Sequence, residues 1–307
     1  MSNNPISNRY TELPCAWALQ SPNLMQSTLG GYRDFCSKYP LEIQALGAQA
    51  NVPTATDHPA RLPLGIYFEQ ELAKAFNQAP EHWRICLRNY PIYAGKRTMG
   101  ELDFLLEAAD KTLLHVEAAI KFYLLTPTAT SPAAWSNWVG PNAADRLDIK
   151  LERMLSHQLP MAASVAAELN GAAAREPGAD IQSLYLMKGV FFSHWQTAPK
   201  RPAKAYAGAT TGEWMYESEF WRELARGERL WRPLSKLEWL AATKPGWLIE
   251  PDTMLDHNRI AAFLTQAERG FPRLFLSVTH KTRADSAQLT MVVNDHWPET
   301  KRPSRST

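Results

Sequence analysis

The sequence predicts an α/β protein with an added segment at each end, and three observations carry that expectation. An amphipathic helical pattern precedes three strand-like runs, a second amphipathic helix follows them, and a fourth strand-like run closes the series. With 307 residues, 45% of them hydrophobic, the chain can bury a full core and is too long for one small domain.

The first helix begins behind Pro63, a residue suited to a first turn, and Leu64, Phe68, Leu72, Ala75 and Phe76 share one face up to Asn77. Residues 83–92 and 101–107 read as strands joined by the basic loop Gly95-Lys96-Arg97-Thr98, a hairpin or near-hairpin connection. A third apolar run, residues 112–125, follows the Asp110-Lys111 break. Asn142 is positioned to cap the second helix, in which Leu147, Leu151, Met154, Leu155 and Leu159 align. The Ala-rich residues 161–174 prolong that helix or form a surface helix, Glu176-Pro177-Gly178 ends it, and residues 181–195 give the fourth strand.

Residues 1–60 read as a helical N-terminal extension, broken at Ser21-Pro22 and Gly30-Gly31 and closed by a Pro/Thr/Asp-rich connector. Residues 61–196 form the core. Residues 197–307 form a Trp-rich α/β extension, with Trp214, Trp221, Trp231, Trp239 and Trp247 at uneven intervals and a helix near residues 219–226. It continues with a hairpin, residues 273–280 and 288–293, turning at Arg283-Ala284-Asp285-Ser286. The basic residues 301–307 are expected to be a disordered tail. No internal repeat stands out.

A formal net charge of +2 excludes a global basic field, though not a local basic groove. Cys15, Cys36 and Cys86 lack metal-ligand or redox spacing, which argues against a disulfide framework or zinc site and for a reducing cytoplasm. The N-terminus lacks a charged segment followed by an apolar one, and no stretch is long enough to cross a bilayer, so the chain reads as soluble and not exported. Gly-x-Ser-x-Gly and His-Glu-x-x-His motifs are absent, and Tyr90 stands where a phosphate loop needs its first glycine.

The chemistry concentrates in Gly100-Glu101-Leu102-Asp103-Phe104 and His115-Val116-Glu117-Ala118-Ala119-Ile120-Lys121. Alternate side chains on a strand share a face, so Glu101 and Asp103 point one way, and Glu117, Ala119 and Lys121 share a face of the next strand. If the two strands pair, Asp103 and Glu117 can approach and offer hard carboxylate oxygens to Mg²⁺ or Mn²⁺. On spacing alone, these carboxylates could equally be charged positions on solvated strand faces.

Gly100-Glu101-Leu102-Asp103 followed by Val116-Glu117 resembles the Gly-Glu-Ile-Asp … Val-Glu-Val-Lys pattern of PD-(D/E)XK nucleases, especially the Holliday-junction-resolvase and RecB-like branches. The resemblance implies a restriction-endonuclease-like core, with a mixed central sheet flanked by helices, and a metal-dependent nuclease acting on DNA or RNA. More narrowly, the stretches ending in residues 117–124 and running from Gly140-Pro141 through residues 145–150 are similar to a bacterial family of that clan known only as a domain of unknown function. That similarity covers most of the chain and brings no established activity.

The resemblance carries the metal-binding aspartate to Asp103 and the second acidic residue to Glu117. The helix glutamate that often joins the metal goes to Glu69, although helical angles do not separate it from Glu71. The departure is the lysine, expected where Ala119 stands. Lys121 lies four residues after Glu117, its Cα roughly 13 Å away instead of roughly 7 Å on a regular strand, unless a bulge shortens the path. Lys150 on the second helix is the alternative source of positive charge, with Lys96 or Arg97 behind it. The plainer reading of Lys121 is a strand-end lysine covering apolar surface, and His115 reads as structural.

Two functions stay open: an Mg²⁺- or Mn²⁺-dependent phosphodiesterase, or a nuclease-like fold without catalysis that binds nucleic acid or assembles with protein through the Trp-rich segment. The tryptophans suit a core and a partner-facing surface better than a base-stacking platform.

Overall fold

The computed structural model describes residues 17–46, 63–173, 180–236, 238–242, 254–266, 272–279 and 287–299. The N-terminal part holds α1 (Trp17–Gln20), β1 (Thr28–Leu29), β2 (Tyr32–Asp34), α2 (Phe35–Lys38) and α3 (Pro40–Leu46). Gly30 and Gly31 take left-handed φ values of 57° and 86° to turn β1 into β2. The Asp34 carboxylate then caps α2 by accepting the Ser37 N–H at 2.8 Å. The helical extension expected here also holds two strands, too short to leave an alternating pattern, and β2 joins the main sheet.

The central elements follow the predicted order. They are α4 (Leu64–Asn77), β3 (Trp83–Ala94), β4 (Arg97–Ala108), β5 (Leu113–Leu125), a two-residue β6 (Trp138–Val139), α5 (Leu147–Arg153), α6 (Leu159–Ser164), α7 (Ala166–Ala172) and β7 (Ile181–His194). One π-helical turn, Met154–Gln158, joins α5 to α6. Pro160 gives its cause, because it has no N–H for the carbonyl of Ser156 and the α-ladder breaks there. Arg146, not Asn142, occupies the N-cap of α5. The Asn142 side chain instead accepts the Ala144 N–H at 3.2 Å in the preceding turn.

The C-terminal part adds β8 (Thr211–Tyr216), α8 (Glu217–Arg226), β9 (Arg229–Pro233), α9 (Glu238–Ala241), α10 (His257–Gln266), β10 (Arg273–Thr279) and β11 (Gln288–Val293). The predicted hairpin is β10 against β11, antiparallel; its expected turn and the basic tail lie outside the described residues.

One mixed sheet of eleven strands runs β3-β4-β5-β7-β8-β11-β10-β9, with β2 added to β7 and β6 to β5. It passes without a break through the residue 196 boundary, because β7 pairs in parallel with β8. One face carries α4 and α9, with Phe68, Leu72, Phe76 and Trp239 packed on Phe104, Val116, Leu184 and Met291. The other face carries α5 to α7, then α8 and α10. Trp214, Trp231 and Trp239 are buried in these layers and Trp221 is exposed, so the first three cannot form a stacking platform; Trp247 lies outside the described residues. Among the described residues no helix is long and apolar enough to cross a membrane.

Candidate functional site

The sheet opens where the two half-motifs meet. Strand β4 pairs with β5 from Glu107↔Leu113 to Phe104↔Val116 and no further. On the same edge β5 next pairs with β6, at Leu124↔Val139. Residues 117–123 of β5 therefore line a window between β4 and β6, while their other edge stays paired with β7. Asp103 and Glu117 are the first residues past the last β4–β5 pair. The Asp103 carboxylate occupies the opening by accepting the Ala118 N–H at 2.8 Å, a donor no neighbouring strand takes.

Glu117 points toward the α5–α6 layer and is 1% exposed. Its Oε1 accepts a hydrogen bond from Gln158 Nε2 and lies 3.9 Å from Lys150 Nζ, which itself donates to Gln158 Oε1 at 3.0 Å. The π turn explains why residues eight apart can meet. At about 100° per residue, they would sit about 80° apart on a regular helix, and one wide turn absorbs the extra residue and restores a shared face.

Among the described residues, the remaining oxygen, Glu117 Oε2, is buried without a hydrogen-bond partner, as is His115 Nε2 at 3.8 Å from it. Burial pushes His115 down to about 4, so the ring is neutral near pH 7 and this contact is no ion pair. Its Nδ1 meets Ser183 Oγ at 3.2 Å, in keeping with a structural histidine.

Both carboxyls are raised. For Asp103 the causes are burial, then the charge of Glu117, against the Ala118 N–H. For Glu117 the cause is burial, opposed chiefly by Lys150. Burial likewise lowers Lys150, whose side chain is 15% exposed.

Glu69 approaches from α4. Its carboxylate accepts from Asn89 Nδ2 at 3.3 Å, and its charge raises both Asp103 and Glu117. Glu71, its sequence rival, is buried against Lys74 at 2.7 Å instead. Among the described residues no group of three or more His, Cys, Asp or Glu side chains has the geometry to hold a metal ion, so Asp103 and Glu117 meet as a pair that Glu69 flanks.

A sequence model of a domain of unknown function (DUF1853) matches residues 14–293. The chain belongs to the DUF1853 family. No curated protein and no solved structure matches it significantly.

In this DUF1853 chain Lys121 is directed elsewhere. The β5–β7 ladder continues unbroken from Leu113 to Leu124, so no bulge shortens the path to Glu117, and Lys121 Nζ donates to Asp145 Oδ2 at 2.5 Å. The structure thus joins Asp103, Glu117 and Lys150, with Glu69 beside them, and leaves Lys121 in its own pair. Gln158 escaped the sequence reading because helical periodicity places it away from Lys150; Pro160 was the available signal. Arg97 opens β4 and Lys96 precedes it in the turn, both remote along the strand from Asp103.

Proposed function

We propose that this chain is a metal-dependent nuclease hydrolysing phosphodiester bonds in DNA or RNA, on a restriction-endonuclease-like core formed by α4, β3 to β5, α5 to α7 and β7. The observation that carries the reading is the meeting of Asp103 and Glu117 at a gap in the sheet, with Lys150 beside them. The order of elements, with an antiparallel hairpin ahead of a parallel strand, supports the same reading.

The residues fit an oxygen-preferring divalent cation such as Mg²⁺ or Mn²⁺. They offer two hard carboxylates, one with a buried oxygen that, among the described residues, lacks a hydrogen-bond partner. Such an ion, when bound, activates a water and neutralises charge on the phosphodiester under attack. The chain's own groups prepare the place: the Ala118 N–H fixes Asp103, Gln158 fixes Glu117, and Lys150 brings a positive charge from the helical layer. In the family pattern the lysine comes from the strand, and Lys150 supplies it here from α5.

The second reading is a nuclease-like module that binds nucleic acid or protein without cutting. It draws on Ala119 at the lysine position and on the ties of Gln158 to Glu117 and of Asn89 to Glu69. The test is Mn²⁺-dependent cleavage of branched, single-stranded and duplex substrates by the wild type and by Asp103→Asn, which keeps an acceptor for the Ala118 N–H. Cleavage lost in the variant supports the nuclease. Equal traces in both mark a contaminant, and binding that persists in EDTA and in Asp103→Asn favours the module.

A further inference from the structure

Beyond Phe104 the β3–β4 hairpin continues as an arm in which, among the described strands, residues 90–94 and 97–102 pair only with each other. The helical layer braces it. Ile92 and Leu102 pack with Met161, Ala162 and Leu169, Tyr90 donates to Glu168 at 3.2 Å, and His157 Nε2 lies 3.1 Å from the Met99 carbonyl. Gly100 crosses Met161 so closely that a Cβ would meet its methyl carbon at 2.5 Å. The arm is therefore held in place.

Its tip has one chemical character. From Arg88 to Gly100 the chain carries Arg88, Lys96 and Arg97 and no acidic residue. Lys96 and Arg97 are exposed and, among the described residues, form no ion pair. Tyr93 and Met99, 54% and 41% exposed, stand beside them. Arg97 lies six residues along β4 from Asp103, about 20 Å at the rise of a strand, or about six nucleotides of a helical strand at 3.4 Å each.

We infer that this arm grips an unpaired nucleic-acid strand leading to the Asp103–Glu117 gap, with Tyr93 stacking on a base and Lys96 and Arg97 contacting phosphates. The inference rests on the nuclease reading for what happens at the gap, and on the arm alone for binding. Paired bases hide their faces within the duplex, so an exposed tyrosine near two cations favours strands whose bases are free.

Anisotropy of fluorescein-labelled dT20, rU20, a forked duplex and a blunt duplex, measured in EDTA and in Ca²⁺, tests it. Tyr93→Ala is expected to weaken the single strands and the fork about tenfold and leave the blunt duplex unchanged, while Tyr93→Phe keeps the affinity. Lys96→Ala with Arg97→Ala is expected to flatten the salt dependence for a single strand by about 1.4 in slope. The preference between dT20 and rU20 names the sugar. A wild type that favours the blunt duplex, or arm variants that bind like wild type, overturns the inference. So does a sedimenting dimer that Tyr93→Ala dissociates, since the tip would then be a self-interface. Arm-dependent binding without divalent-dependent cleavage supports the arm and sinks the nuclease reading; cleavage indifferent to the arm variants does the reverse.

Discussion

Replacing Asp103 with asparagine removes one of two neighbouring buried acids while keeping an oxygen for the Ala118 N–H. Asp103 is raised from 3.8 to about 8, chiefly by burial and then by Glu117, so between those values the folded protein holds a proton that the unfolded chain has released. Its contribution is fully present below the lower value and is lost as pH rises toward the upper one. At about 1.4 kcal/mol per unit, the ceiling at pH 7.5 is about 5 kcal/mol; solvent contact and a proton shared with Glu117 reduce this to about 2 kcal/mol.

Without metal, Asp103→Asn should therefore melt about 3 °C above wild type at pH 8. The two should nearly coincide at pH 5. Differential scanning fluorimetry in EDTA at both values measures this, and added Mn²⁺ should raise only the wild type, more at pH 8 than at pH 5. A variant less stable than wild type at pH 8, or a gain equal at both pH values, would refute the picture of two acids held under repulsion.

Three further outcomes follow from named contacts. Lys150→Met should lower divalent-dependent cleavage about a hundredfold, as for loss of one charge-stabilising donor, while Lys121→Met, which breaks the Asp145 pair and removes a like charge near Lys150, should leave it within about threefold; steady-state cleavage rates decide. Lys188, fully buried, donates to the carbonyls of Leu19 and Ser21 and to Asn23 Oδ1. Lys188→Met should cost about 3 kcal/mol in chemical denaturation and open the N-terminal segment to limited proteolysis. Gly189, at φ 147°, lies so near β5 that a Cβ would stand 1.7 Å from the Lys121 carbonyl oxygen, and Gly189→Ala should give insoluble protein. Soluble, wild-type-like melting would refute that.

The sequence was readable wherever periodicity and chemistry agreed. Phe68, Leu72 and Phe76 stripe α4 and are buried as expected, and alternation put Glu117 on a face apart from Val116. Asp103 and Glu117 were singled out by their resemblance to a family pattern, because on spacing alone they could equally have been charged positions on solvated strand faces. Lys150 could be proposed but not chosen over Lys121, since the choice depends on Asp145 and Gln158, residues that tertiary structure alone brings into reach. The short β1 and β2 left no pattern to read. The continuous sheet was hidden because parallel pairing of β7 with β8 needs no local turn signal.

The gap along residues 117–123 also bears on how this chain avoids its own kind. A strand edge with free backbone donors is a template on which another chain can add a strand and begin an aggregate. Here the gap lies inside the sheet, between β4 and β6, and a carboxylate stands on the Ala118 donor that an intruding strand would need. An apolar substitution at Asp103 would strip that guard. Its first symptom would be turbidity during refolding, before any assay of cutting could be run, whereas asparagine keeps the donor covered and the chain monodisperse.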